Sequence, residues 1–151
     1  MSTVDTPDSL ARFKFFTPVR VVWGDMDSMR HVNNTKYFYY CETARLDFFH
    51  ELDEKFGASE AQILKGGIAL AETGCRFKVS LTFPDTLLIG SAIESIEDTQ
   101  FKIIHHIYSE KLDCIAAEAN ARMVMFDRNK GRRVKIPDEY VSVLKAYMLA
   151  E

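Results

Sequence analysis

The sequence predicts an α+β fold, and three observations lead to it. A strand-like segment rich in Phe and Val opens the chain at residues 13–23. A single helical stripe follows, with Tyr37, Cys41, Ala44, Phe48 and Leu52 at steps of 4, 3, 4 and 4. Beyond Ile68 the apolar segments are all of strand type until a short terminal helix. One strand, one long helix and four strands in a meander make the α+β pattern. No internal repeat or low-complexity tract interrupts it. A length of 151 residues predicts one domain, 1–151, large enough for a core without disulfides.

The elements are justified in order. Residues 1–11 are polar and are expected to be flexible. Residues 13–23 form the first strand and residues 25–33 a loop. Asn34 or Thr35 is the expected N-cap of a helix that runs to about Phe56, where Gly57 fits a stop. Phe38 and Phe49 widen the apolar stripe, so the helix is expected to be wrapped by a sheet. Residues 68–83 read as a long strand, and Pro84-Asp85 as a turn. Strands at 87–96, 101–108 and 114–126 follow, divided by Glu97-Asp98 and by the polar residues 109–113. A turn at 127–132 contains Gly131, and Pro137 can start a last helix over 138–149. His105 and His106 fall on opposite faces of their strand.

Composition removes several function classes. A net charge of −3 implies no basic face, so no nucleic-acid partner is expected. Three cysteines, Cys41, Cys75 and Cys114, are widely spaced and have no zinc-ligand pattern, so no metal is expected. They read as reduced thiols of a cytoplasmic protein. The opening residues lack the apolar core of a signal peptide, and no apolar run reaches the roughly 18 residues of a membrane span, so no membrane partner is expected.

One block carries the chemistry: WGDMDSMRHVNNTKYFYYCETARLDFF, residues 23–49. Two aspartates, a histidine and two asparagines stand in a short loop before an aromatic-rich helix. A carboxylate near a helix N-terminus supplies two parts of an acyl-transfer site. Asp25 or Asp27 can serve as nucleophile or base, and free N–H groups at the helix start can hold an oxyanion. The same pattern also suits a capping aspartate or an Asx-turn.

The block resembles the signature of the 4-hydroxybenzoyl-CoA thioesterase family of hotdog-fold proteins, D-x-D-x-x-G-H-V-N-N-x-x-Y-x-x-Y-x-E-x-A-R. The matching residues are Asp25, Asp27, His31, Val32, Asn33, Asn34, Tyr37, Tyr40, Glu42, Ala44 and Arg45. Arg30 stands where the family usually has glycine. If that position takes φ > 0, arginine bears a strain that glycine would not.

The resemblance implies a hotdog, an antiparallel sheet wrapped around one central helix. It implies pairing into a homodimer or homotetramer with sites at the interface, which would also cover a long strand edge. It implies hydrolysis of an acyl-CoA thioester with no cofactor, CoA being part of the substrate. Asp27 is then the catalytic carboxylate, acting as nucleophile or general base. The backbone N–H of Asn34 faces the thioester oxygen, aided by the helix dipole. His31 positions substrate or water, or shapes the turn. Plant acyl-carrier-protein thioesterases are similar, with D-x-N-x-H, but Met29 occupies the Asn position here. Asp25 and Asn33 are expected to be structural. Glu42 is expected to pair with Arg45 three residues on, although another hotdog branch uses a helix glutamate.

Tyr37, Phe38, Tyr40 and Cys41 are expected to line the acyl pocket with a partner subunit. Arg76, Lys78, Arg128, Arg132 and Arg133 are candidates for the CoA phosphates, while Glu97-Asp98 is acidic where relatives are basic. The alternatives are a hotdog enoyl-CoA hydratase, whose D-x4-H differs from the D-x3-H of Asp27 and His31, and a non-catalytic acyl-CoA-binding module.

Overall fold

A computed structural model describes residues 6–57 and 67–151. β1 (Phe15–Val21) leads through a loop into α1 (Asn34–Phe56). Four long strands follow: β2 (Ile68–Phe77), β3 (Asp85–Ile96), β4 (Gln100–Ser109) and β5 (Cys114–Asp127). The two-residue β6 (Arg132–Arg133) and α2 (Asp138–Ala146) complete the chain. This is the expected hotdog: an antiparallel sheet that curls around one long helix.

The sheet order is β1-β3-β4-β5-β2, with β6 against the far end of β5. The expected meander therefore holds for β3, β4 and β5 only. β2 leaves its sequence neighbour β3 and pairs with β5 from Ile68↔Met125 to Phe77↔Ala117. Residues 78–84 then carry the chain back past the start of α1, where Val32 N donates to Leu81 O at 2.8 Å. Register shifts at Leu70/Glu72, Ile93/Ser95 and Ile107/Tyr108 bend three of the four strand pairings. Such bulges increase local twist, which lets the sheet wrap a helix.

The helix is held as its stripe predicts. Tyr37, Cys41, Ala44, Phe48, Phe49 and Leu52 are all buried. The first half packs on Leu87, Ile89, Ile107 and Ala117, and the second half on Ile93, Phe101, Ile103 and Met123. Full burial of an aromatic or aliphatic side chain contributes about 1.5–3 kcal/mol. The cap is Asn33, one residue earlier than expected, because its Oδ1 accepts from Thr35 N at 2.9 Å. Gly57, at φ 92°, ends the helix as expected.

The expected flexibility of residues 1–11 does not extend over their described part. Leu10 is fully buried and packs with Phe13, Ala92 and Tyr108 on the sheet face opposite α1. Gly90 makes room there, since a Cβ would come within 2.7 Å of the Phe13 ring. Arg12 closes the corner, its Nε donating to Ala150 O at 2.7 Å. Apolar residues at 10 and 13, set in a polar stretch, are enough to anchor it. Residues 1–5 lie outside the described residues.

Candidate active site

The loop between β1 and α1 is built on Asp25. Its carboxylate is buried and accepts from Val22 N at 3.1 Å and from Tyr40 Oη at 2.7 Å. Its carbonyl accepts from Asn33 N at 2.9 Å. Asp25 thus ties the end of β1, the start of α1 and the second turn of the helix to one residue. Burial, and then the bond to Asp25, push the Tyr40 phenol far above its ordinary range, so it stays a donor.

Asp27 opens a tight turn. Asp27 N donates to His31 O and Arg30 N to Asp27 O, each at 3.0 Å, and Met26 and Val32 form a β-bridge across its base. The turn closes only with Arg30 at φ 64°, the left-handed region that glycine adopts freely. This is why the family signature carries glycine there. The side chain of Asp27 is held at both oxygens: Oδ1 accepts from Met29 N at 2.9 Å and Oδ2 from Asn33 Nδ2 at 3.2 Å. Asp27 therefore makes the Asx-turn expected of a loop aspartate, yet it remains exposed to solvent beside the helix start.

The first N–H groups of α1 are not equally available. Asn33 Oδ1 takes Thr35 N, and Asn33 O takes Lys36 N at 2.9 Å. The N–H of Asn34 has no hydrogen-bond acceptor among the described residues. A cleft of about 190 Å³ is lined by Val32, Asn34, Tyr37, Phe77, Lys78, Val79 and Ser80. Tyr37 braces the far wall, its hydroxyl donating to Val79 O at 3.3 Å and accepting from Leu81 N at 3.2 Å.

An exposed carboxylate thus stands beside an open helix N-terminus. Residues 21–145 match the family model described as the Thioesterase-like superfamily. The chain belongs to that superfamily. Thioester hydrolysis, the enzyme class expected from the signature, is therefore its class.

The superfamily member is similar to several known proteins. A protein of Aquifex aeolicus (strain VF5), provisionally named an esterase, is 27% identical over 83% of this chain and 94% of its own length. A thioesterase from Thermus thermophilus, solved with coenzyme A and zinc, is 20% identical and superposes with a TM-score of 0.76 over 89% of this chain and 94% of that one. The DHNA-CoA thioesterase of Staphylococcus aureus is 21% identical, with a TM-score of 0.70 over 87% and 90%. At these identities the solved structures show the common fold.

The structure sorts the other site candidates of this thioesterase-superfamily chain. Tyr37, Lys78 and Asn34 line the cleft, and Phe38 borders it through Phe77, ring centroids 6.3 Å apart. Cys41 lies one turn deeper in the core, not in the cleft. Burial, and to a lesser degree Cys75, push its thiol up to about 12, so it is no nucleophile at neutral pH.

Lys78 Nζ reaches Glu118 at 2.7 Å, on the sheet face away from the helix. Arg76 belongs to a neighbouring cleft of about 410 Å³ with Glu94, Glu118 and Asn120. Arg132 pairs with Asp127 and Arg133 with Phe126, at the end of β5 opposite Ala117. At about 3.4 Å per residue that is some 30 Å away, so within one protomer they share no cleft with Asn34.

The His31 ring is exposed and makes no hydrogen bond among the described residues; its carbonyl does the turn-shaping. The expected Glu42–Arg45 pair makes no direct ion-pair contact among the described residues, Glu42 being exposed and Arg45 buried, although the charge of Glu42 still acts on Arg45. His105 and His106 do face opposite ways, His105 fully buried and His106 against the Phe13 ring at 4.9 Å.

Sequence reasoning missed three contributors. Val79 and Ser80 line the cleft, but nothing marks a loop residue as lining when the strand it leaves crosses the whole sheet. Asn33, expected to be structural, also touches Asp27, and the adjacent asparagines in HVNN were the only signal.

Proposed function

We propose that this protein hydrolyses an acyl-CoA thioester to a free carboxylic acid and CoA. The observation that carries the reading is an exposed, doubly anchored carboxylate, Asp27, tied through the Asn33 amide to the start of α1, where the next residue, Asn34, has an N–H without an acceptor among the described residues and lines a cleft. The thioester oxygen sits at that N–H. Negative charge that develops on it in the transition state is stabilised by the donor and by the positive end of the helix dipole. Asp27 acts on the carbonyl carbon. As nucleophile it forms a mixed anhydride, the CoA thiolate leaves, and water then cleaves the anhydride. As base it takes a proton from the water that attacks. Either way the side chain must be an ionised carboxylate held in place, which the bonds from Met29 N and Asn33 Nδ2 provide.

The signature and the coenzyme A held by the Thermus protein support CoA as the thiol. Lys78, a cleft residue whose Nζ is paired with Glu118, and Arg76 in the neighbouring cleft are the candidate cations for its phosphates. The reading includes a homodimer. Among the described residues β2 pairs with β5 on one side only, and Leu70, Phe77 and Val79 on and after it are exposed. An unpaired edge of ten residues favours addition of a second copy, which would wall the shallow cleft.

The test is Asp27→Asn. Its Oδ1 can still accept from Met29 N, so the melting temperature should change little. Hydrolysis of a CoA thioester, read as free thiol, should fall by about 10²–10⁴. A variant that keeps more than about a tenth of wild-type turnover would remove Asp27 from the reaction.

A further inference from the structure

We infer that Asn33 is a positioning residue, which locks the Asp27 carboxylate to the N-terminus of α1 through one side-chain amide. The inference rests on the reading of Asp27 given above and adds a residue to it.

Asn33 is fixed on four sides. Its N–H donates to Asp25 O and its C=O accepts from Lys36 N, each at 2.9 Å. Its Oδ1 accepts from Thr35 N at 2.9 Å and from Thr35 Oγ1 at 2.7 Å. Two donors at Oδ1 settle which way the amide faces, since a flipped amide would set its NH2 against Thr35 N–H. Nδ2 is thereby turned outward, and it donates to Asp27 Oδ2 at 3.2 Å.

The consequence is geometric. The oxyanion donor is the N–H of Asn34, the next residue along. The carboxylate and the donor are therefore referred to one rigid side chain and do not depend on the exposed turn 28–31 alone. Small errors in the placement of reacting groups cost large factors in rate. Asn33 does not line the cleft, so its influence falls on turnover and not on binding.

Capping and positioning can be separated at this residue. Asp and Ser are both good N-caps, so each keeps the bond from Thr35 N. Neither offers the amide donor. Asp also sets a second carboxylate beside Asp27, which is repulsive.

The experiment compares Asn33→Asp, Asn33→Ser and Asp27→Asn with wild type, reading kcat, KM and melting temperature. The inference expects kcat to fall about tenfold or more in Asn33→Asp and several-fold in Asn33→Ser. KM and melting temperature should stay near wild type. A residue that only capped would rank Asp equal to Asn, so a wild-type kcat in Asn33→Asp overturns the inference. A loss of kcat matched by an equal loss in melting temperature in both variants overturns it too. If Asp27→Asn itself remains active, the reading of the reaction fails first. If Asp27→Asn is inactive and Asn33→Asp is not, only the positioning role is lost.

Discussion

Tyr40→Phe tests the anchor beneath the site. The hydroxyl of Tyr40 donates to Asp25 Oδ2 at 2.7 Å, and Tyr40 itself is 5% exposed. Phenylalanine fills the same space, so the change removes one hydrogen bond and opens no significant cavity. The carboxylate is left with Val22 N as its one remaining donor. A hydrogen bond to a charged group contributes about 1.5–3 kcal/mol, and a buried acceptor stripped of its partner tends to the upper end. For a chain of this size each kcal/mol moves the melting temperature by about 2–4 °C. The expected fall is therefore about 3–12 °C by circular dichroism. The neighbouring Tyr39, 61% exposed, is the control, and Tyr39→Phe should stay within about 0.5 kcal/mol of wild type. Because Asp25 also holds Asn33 N, Tyr40→Phe should lower kcat as well. A melting temperature within about 1 °C of wild type by this assay, on the order of its precision, would refute the claim that Asp25 anchors the loop.

Two further predictions concern stability. His105 is fully buried, with Nδ1 2.8 Å from Ser91 Oγ and no hydrogen-bond partner for Nε2. Burial, then Arg45 and His106, push it down to about 3. The folded state thus keeps it neutral while the unfolded chain takes a proton near pH 6.5. Stability is lost as pH falls below 6.5, by at most about 1.4 kcal/mol per unit until the folded value is reached. His105→Gln should flatten the urea midpoint between pH 6.5 and 5, and an unchanged slope would contradict this. At Arg30, φ 64° is a strained position for any residue with a Cβ. Arg30→Gly should stabilise by about 0.5–1 kcal/mol, whereas Arg30→Ala should not; a loss of stability in Arg30→Gly would count against the turn geometry.

The sequence made the helix and its wrapping legible because that signal is dense. Five core positions at helical spacing, stopped by Gly57, leave one solution, although the cap fell one residue before the Asn34 or Thr35 expected. The strands were legible for the same reason, since apolar runs are parted by turn residues. The order of the strands was not. β2 and β3 are separated by only seven residues, and a short link normally joins neighbours. Their separation is set by the curl of the whole sheet around α1, which no local pattern records. At the site, the residue types were legible from the signature, and so was the need for φ > 0 at position 30. Their hydrogen bonds were not. Asp25, Asp27 and Asn33 are alike to a pattern, and burial alone gives one of them the anchor and another the solvent-facing role. Arg132 and Arg133 show the opposite limit, because charge in sequence says nothing about which end of a strand it decorates.

The topology also fixes when the site can exist. Phe15 must wait for Ser91 before β1 has a partner, and Ile68 must wait for Met125. Val32 cannot close its loop until Leu81 has been made. Such distant pairings are slow to form, because the loops that join them must be closed before any contact rewards the closure. Every residue of the signature has been synthesised by Arg45, yet the sheet that surrounds the helix is complete only when β5 has arrived. A chain cut after α1 would carry the whole motif without the sheet that encloses it.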